Sequence, residues 1–173
     1  MTEKNNNLKK LTLAELKKQN KKLNIKEEKE VMIGGDVYKF EIDGFFRKTK
    51  QYKLLDDLIE FFNEGNKRPE LLDLATPYVS LLLIKHFTSI DVSNDIDEAV
   101  ELLNILVDLE LLADILNLLP EDEVNKIYEI ISTTTERMKE NMEDTLREIE
   151  EVKEKLENVE VKELLDDNAE ESE

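Results

Sequence analysis

The only histidine of the chain, His86, is the first side chain to consider for catalysis, because the sequence contains no cysteine. It stands in LLLIKHFTS, at the end of the most apolar stretch. A general base needs a carboxylate or a nucleophile held beside it, and the neighbouring sequence implies neither. A histidine near the end of a helix also interacts favourably with the helix dipole. We therefore interpret His86 as a structural residue.

Metal and cofactor sites are not indicated either. The acidic clusters do not follow the spacing of a calcium-binding loop. Neighbouring carboxylates such as Asp56-Asp57 and Asp166-Asp167 arise by chance in a chain with 42 acidic residues. No phosphate-binding loop or dinucleotide fingerprint is formed by the four glycines, Gly34, Gly35, Gly44 and Gly65. The sequence thus predicts a protein that is not an enzyme and has no catalytic, cofactor or metal site.

One cluster combines aromatic and basic side chains, FFRKTK at residues 45–50. Such a cluster can stack single-stranded nucleic acid, but a hydrophobic staple leading into a helix capped by Thr49 explains it more simply. The net charge of −18 also repels phosphate groups. We expect neither nucleic acid nor an anionic membrane as a partner.

The last part of the chain carries the strongest pattern for binding another protein. From Glu121 to about Glu157 there is no glycine or proline, and apolar residues recur at steps of three or four, as in a coiled coil. Beyond Thr135 charged residues dominate and the apolar stripe becomes narrow. The predicted partner-binding residues on this stripe are Met138, Met142, Leu146, Ile149 and Val152.

The length of this predicted helix supports a binding role. An unbroken helix over residues 121–157 would be on the order of 55 Å long, whereas a globule of this chain length is roughly 40 Å across. The helix therefore breaks or extends beyond the body, and an extended apolar stripe needs a partner. That partner is another protein or a second copy of the chain.

The other elements follow from periodicity and turn residues. Alternating apolar residues on both sides of Gly34-Gly35 predict a β-hairpin over residues 29–43. Helices are expected from Thr49 to about Asn63 with Gly65 ending the helix, after Pro69, with a kink or restart at Pro77, and after the capping box of Asp95 and Glu98. The segment that follows the Asp95 helix is expected to stop at Pro120.

The fold class predicted is mainly α, a compact helical domain with an N-terminal hairpin and a long C-terminal helix. We divide the chain into a basic, partly disordered leader with a short helix (1–28), a helical body with the hairpin (29–132), and an acidic extended helix with a disordered tail (133–173). No apolar segment suits a signal peptide or a membrane span. A cytoplasmic protein is expected.

The order of these parts resembles the tail assembly chaperones of long-tailed, siphovirus-type bacteriophages of Gram-positive hosts. The similar segments are the leader with LTLAELKKQ, the hairpin before FFRKTKQYKLLDDLIEFF, the block PYVSLLLIKHFTSID, and ELLNILVDLELLADILNLLPEDEVNKIYEII. Together they cover roughly residues 8–150.

The resemblance implies a non-catalytic protein of the host cytoplasm that is absent from the mature virion. Members of that family bind and solubilise the tape-measure protein during tail morphogenesis and help to recruit the tail-tube protein. A different class remains open from the residues: an acidic regulatory module, such as an inhibitor or antirepressor, that acts on a basic target.

Overall fold

The computed structural model describes residues 10–137 and Arg147, and within them the chain is mainly α-helical with one N-terminal β-hairpin, as the sequence predicts. The helices and strands are α1 (Leu13–Lys21), β1 (Lys26–Ile33), β2 (Asp36–Asp43), α2 (Lys48–Lys67), a 3₁₀ helix (Pro69–Leu74), α3 (Ala75–Phe87), α4 (Ile96–Asp108), α5 (Leu111–Asn117) and α6 (residues 121–137). The chain divides into two units, Met1–Ile127 and Tyr128–Glu173. The three-part division at residues 28 and 132 stays a prediction.

Helix α3 lies at the centre of the first unit. Proline suits the first turn of a helix, because the N–H groups of that turn have no acceptor within the helix and proline has no N–H. Pro77 occupies the first turn of α3. The predicted restart at Pro77 is therefore confirmed. The helix is buried on nearly every side, at Tyr78, Val79, Ser80, Leu81, Leu82, Leu83, Ile84 and Phe87.

Helix α2 covers one side of α3 with residues spaced three and four apart, the spacing of one helix face. Its buried residues are Gln51, Leu54, Leu58, Phe61 and Gly65. Two stacked aromatic pairs fix the contact: the ring centroids of Phe46 and Phe87 are 3.7 Å apart, and those of Phe61 and Tyr78 are 4.0 Å apart.

The start of α2 differs from the prediction. Thr49 lies inside the helix, and Arg47 occupies the N-cap position without a side-chain hydrogen bond. Instead, the buried Phe46 N–H donates to Glu123 Oε2 at 2.9 Å, and Gln51 Nε2 donates to the Phe46 carbonyl at 2.7 Å. Glu123 of α6 thus holds the residue that precedes the N-cap of α2, and the helix itself begins without a side-chain cap.

The predicted helix end at Gly65 is also wrong, because α2 continues to Lys67. Gly65 is buried, and a Cβ atom there would lie 2.4 Å from Leu72 Cδ2 of the 3₁₀ helix. Gly65 therefore permits close packing of α2 against Leu72 of the 3₁₀ helix and does not end the helix.

The hairpin is confirmed, although β1 begins at Lys26 rather than at residue 29. Gly34 and Gly35 have φ angles of 60° and 95°, the positive values that a two-residue hairpin turn requires. At the other end Ser89 holds β2 through two 2.8 Å hydrogen bonds, donating its N–H to the Glu41 carbonyl and accepting the Glu41 N–H at Oγ.

A buried carboxylate fastens this hairpin to α2. Asp43 has a side chain only 5% exposed and binds Lys26 Nζ at 2.5 Å and Lys50 Nζ at 2.6 Å. The pairing of Lys26 with Asp43 across the strands explains why β1 extends into the charged stretch. The alternation of apolar residues does not predict this extension of β1, because Lys26 and Asp43 are charged.

The remaining helices complete the core. The predicted cap of α4 is confirmed, since Asp95 Oδ1 accepts the N–H groups of Asp97 at 3.0 Å and Glu98 at 3.1 Å. Helix α5 ends before Pro120, as expected, and Ile127 of α6 is buried.

We predict that Glu123→Ala lowers the free energy of unfolding by roughly 1–3 kcal/mol, because the buried Phe46 N–H loses its acceptor. Urea denaturation measures this. Asp122→Ala is the matched control, since Asp122 is an exposed acidic residue in the same first turn and its loss should cost less than about 0.5 kcal/mol. Equal effects of the two substitutions would contradict the role assigned to Glu123.

Candidate functional site

The predicted partner-binding residues Met138, Met142, Leu146, Ile149 and Val152 lie outside the described residues. Their role stays a prediction. Among the described residues two other surfaces have the composition of a binding site, a polar groove beside α2 and an exposed apolar face on α1.

The groove contains a three-residue cluster that sequence reasoning missed. Asp57 Oδ2 lies 2.7 Å from Lys85 Nζ and 2.9 Å from His86 Nε2. The side chains of Lys85 and His86 are 13% and 11% exposed, so their shared carboxylate is partly screened from water. A carboxylate is therefore held beside His86, although the local sequence implied none.

Asp57 could not be identified from the sequence because it belongs to a different helix, 29 residues before His86. Asp56 takes no part in the cluster, so the two adjacent carboxylates do not act as a pair, and Asp57 alone binds Lys85 and His86. The sequence offers one indication of the role of Asp57, which is that it adjoins Leu58 on the buried face of α2. Helix periodicity alone does not say which residue of α3 lies opposite.

The electrostatics of this cluster favour a neutral imidazole. Burial lowers the pKa of His86 below its usual value, and this effect outweighs the opposing influence of Asp57. Lys85 and Lys50 lower the pKa further. Since Asp57 is already paired with Lys85, the His–Asp contact joins the middle of α2 to the end of α3. We keep the interpretation of His86 as a structural residue.

Three depressions, with volumes of about 380, 340 and 230 Å³, share lining residues and together form a groove between α2, α3 and residues 90–97. We call it the acidic groove. Asp57, Lys85 and Asn94 line the first two depressions, and Glu60, Asn94 and Ile96 line the second and third. The charged lining residues are Asp56, Asp57, Glu60, Glu64, Asp91, Asp95 and Asp97, against Lys53, Arg68 and Lys85.

Several of these carboxylates already have partners. Asp57 binds Lys85, Asp97 binds Arg68 Nη2 at 2.7 Å, and Glu64 binds Lys67 at 3.0 Å. The hydrogen bond with Arg68 lowers the pKa of Asp97. In the part of the chain that the structure describes, Asp56, Glu60 and Asp91 form no ion pair. Their charges are available to a ligand.

The second surface is basic and apolar, and we call residues 10–25 the basic arm. No residue of α1 is buried. Thr12 caps the helix, its Oγ1 accepting the Glu15 N–H at 3.3 Å. The exposed apolar residues of the arm are Leu11 (74%), Leu13 (67%), Leu16 (50%), Leu23 (40%) and Ile25 (50%).

The aromatic and basic cluster at residues 45–50 does not form a stacking surface. Phe46 is fully buried against Phe87, and Lys50 is bound to Asp43. The alternative of single-stranded nucleic acid binding therefore has no structural support at this position. Phe46 is a core residue that precedes α2. The predicted hydrophobic staple into a Thr49-capped helix is not formed, because Arg47 is the N-cap residue and the fourth residue of the helix is Gln51.

Metal binding and membrane insertion find no support in residues 10–137. No three histidine or acidic side chains there converge closely enough to hold a metal ion. No helix in the same range combines the length and the apolar character needed to cross a bilayer.

Comparison with known proteins identifies one family for nearly the whole chain. A family model described as YomO, the name of a Bacillus phage-derived domain, matches residues 13–166. The match includes α1, the hairpin and every helix of the acidic groove. No curated protein and no solved structure matches the chain.

We predict that acidification below pH 6.5 removes stability through His86. Its pKa is lower in the folded than in the unfolded protein, so the unfolded state binds the proton more readily. The stabilising effect of the neutral His86 is complete above pH 6.5 and decreases as the pH falls towards the pKa of His86 in the folded protein. Urea denaturation of the wild type and His86→Gln between about pH 7.5 and 5 measures it, since glutamine does not titrate there.

The wild type should lose more stability than His86→Gln over this range. Parallel pH profiles, or a relative gain by the wild type, would show that burial does not control the proton on His86. The difference between the two pH profiles removes the contribution of the surrounding carboxylates and lysines, because both proteins contain these groups.

Proposed function

The chain belongs to the YomO family and is phage-related, and we propose that it is a non-catalytic phage tail assembly chaperone. The proposed client is the tape-measure protein, which the chaperone binds and keeps soluble during tail morphogenesis. The tail-tube protein is a further proposed partner. The proposed place of action is the host cytoplasm, and the protein leaves the tail before the virion is complete.

The exposed apolar face of the basic arm is the observation that carries this proposal. Leu13 and Leu16 are 67% and 50% exposed on one amphipathic helix, with Leu11 next to them at 74%. Exposed apolar surface on a helix is costly in water and typical of a binding face. A long apolar client helix can lay its own apolar residues against such a face.

The lysines of the arm suit the same role. Lys17, Lys18, Lys21 and Lys22 are exposed around the leucines, so the arm stays hydrated while its apolar face is covered. A helix of nine residues is also marginally stable by itself in water. Docking against a client would stabilise α1, and weak intrinsic stability would favour release when the tail is assembled.

The stripe Met138, Met142, Leu146, Ile149 and Val152 is proposed as a second contact with the client. Its pattern of apolar residues three and four apart suits a helix-to-helix contact. The arm and the stripe can be tested separately, because substitutions in one leave the sequence of the other unchanged.

We predict that Leu16→Asp reduces client binding on the order of tenfold or more, since it removes a leucine contact and places a carboxylate in the interface. The assay is co-expression with the phage tape-measure protein, measuring the soluble fraction and the affinity of the purified complex. Ala14→Asp is the matched control, because it adds the same charge to an exposed position of α1 off the leucine face. The melting temperature of the body should be unchanged in both.

Similar loss with Ala14→Asp and Leu16→Asp would mean that added charge, and not the leucine face, controls binding. Absence of any complex with the wild type would refute the chaperone proposal. The double substitution Met142→Asp and Leu146→Asp provides the second arm of the experiment. If it and deletion of residues 138–173 leave client binding unchanged, the stripe has no part in the contact.

A further inference from the structure

The floor of the acidic groove carries a largely buried tyrosine whose hydroxyl group has no hydrogen-bond partner among the described residues. Tyr78 is 4% exposed, stacks on Phe61, and lines the middle depression of the groove. Its hydroxyl group takes part in no hydrogen bond within the described residues. Yet no side-chain oxygen or nitrogen there is both fully buried and unpartnered. The Tyr78 hydroxyl must therefore reach the groove, where a ligand atom can bond to it.

The surroundings of this hydroxyl are electrically negative. Burial, followed by the charges of Asp57 and Glu60, raises the pKa of Tyr78 to about 12. The phenol consequently stays protonated near neutral pH, and the carboxylates that act on it favour a cation in the same space. Glu60 lies in the same depression and forms no ion pair among the described residues.

The groove is also long. Its α2 wall runs from Lys53 to Arg68, which at 1.5 Å per residue is about 22 Å. An extended peptide of roughly seven residues has this length. Carboxylates without ion pairs are spread along the groove and do not converge on one point, as Asp56, Glu60 and Asp91 show. Such spacing fits a series of positive charges on a chain better than a single ion.

From these features we infer that the acidic groove binds an extended basic segment of a partner protein, with one lysine or arginine side chain donating to Glu60 and to the Tyr78 hydroxyl. This inference goes beyond the proposed chaperone function, which uses the apolar face of the basic arm. The net charge of −18 attracts a basic partner at long range. A second copy of the chain carries the same net charge and is disfavoured as the occupant.

The test uses the full chain and a synthetic octapeptide of alternating lysine and serine, with a glutamate and serine octapeptide as the negative control. Binding is measured by calorimetry at low ionic strength. We expect saturable binding of the lysine peptide that Tyr78→Phe weakens about fivefold through loss of one hydrogen bond. Because the hydroxyl has no partner in the fold, the melting temperature should not change.

Glu60→Gln is the second variant, and Glu101→Gln on α4 is its matched control, since both remove one exposed carboxylate. We expect Glu60→Gln to weaken binding on the order of fivefold or more and Glu101→Gln to leave it nearly unchanged. The Glu60 result keeps the test valid if Tyr78→Phe should perturb folding. Equal effects of the two carboxylate substitutions would overturn the inference, because they would indicate general attraction to an acidic protein.

The same experiment distinguishes the basic segment from two other occupants of the acidic groove, a small cation and a second copy of the chain. If the polyamine spermidine binds at least as tightly as the peptide and Glu60→Gln weakens it equally, the groove is a site for small cations and the inferred partner is wrong. If sedimentation shows self-association of the wild type that Glu60→Gln abolishes, the occupant is a second copy. Neither outcome affects the client assay with Leu16→Asp, so the two proposals fail independently.

Discussion

The need to enclose α3 determines the arrangement of the first unit. This helix is apolar on nearly all sides, so no single neighbour can cover it. Helices α2, α4 and α5 and the 3₁₀ helix all pack against it, while Thr88 at its end pairs with Ile42 of the hairpin. The basic side chains of the helix are confined to its last turn, at Lys85 and His86. The charged cluster with Asp57 therefore forms where the apolar enclosure ends.

Local signals were sufficient to predict most elements of the fold. Gly34-Gly35 supplies the positive φ angles of the hairpin turn, Asp95 caps α4, and Pro77 restarts a helix. Each of these depends on the conformation of a few neighbouring residues. The hairpin and the helical class therefore followed from sequence, with strand and helix ends shifted by a few residues.

Features that depend on distant residues could not be predicted in the same way. Glu123 binds the N–H of Phe46 just before α2, and the glycine at position 65 makes room for Leu72 of the next helix. Likewise Asp57 acquires its role from two residues of α3. The groove is assembled from three segments whose relative placement only packing decides. The short helix of the leader, in contrast, is predicted from the sequence, although the exposure of its leucines is not.

The hydrogen bond between Phe46 and Glu123 has a consequence for how the protein is made. It joins residues 77 positions apart, so the body remains incomplete until α6 has left the ribosome. At ~5–20 residues per second, synthesis from the end of α3 to Glu123 takes about 2–7 s. For that interval the buried N–H of Phe46 lacks its acceptor and Ile127 of α6 is missing from the core. A nascent chain in this state has an unfinished core, and transiently exposed apolar surface of this kind is prone to aggregation.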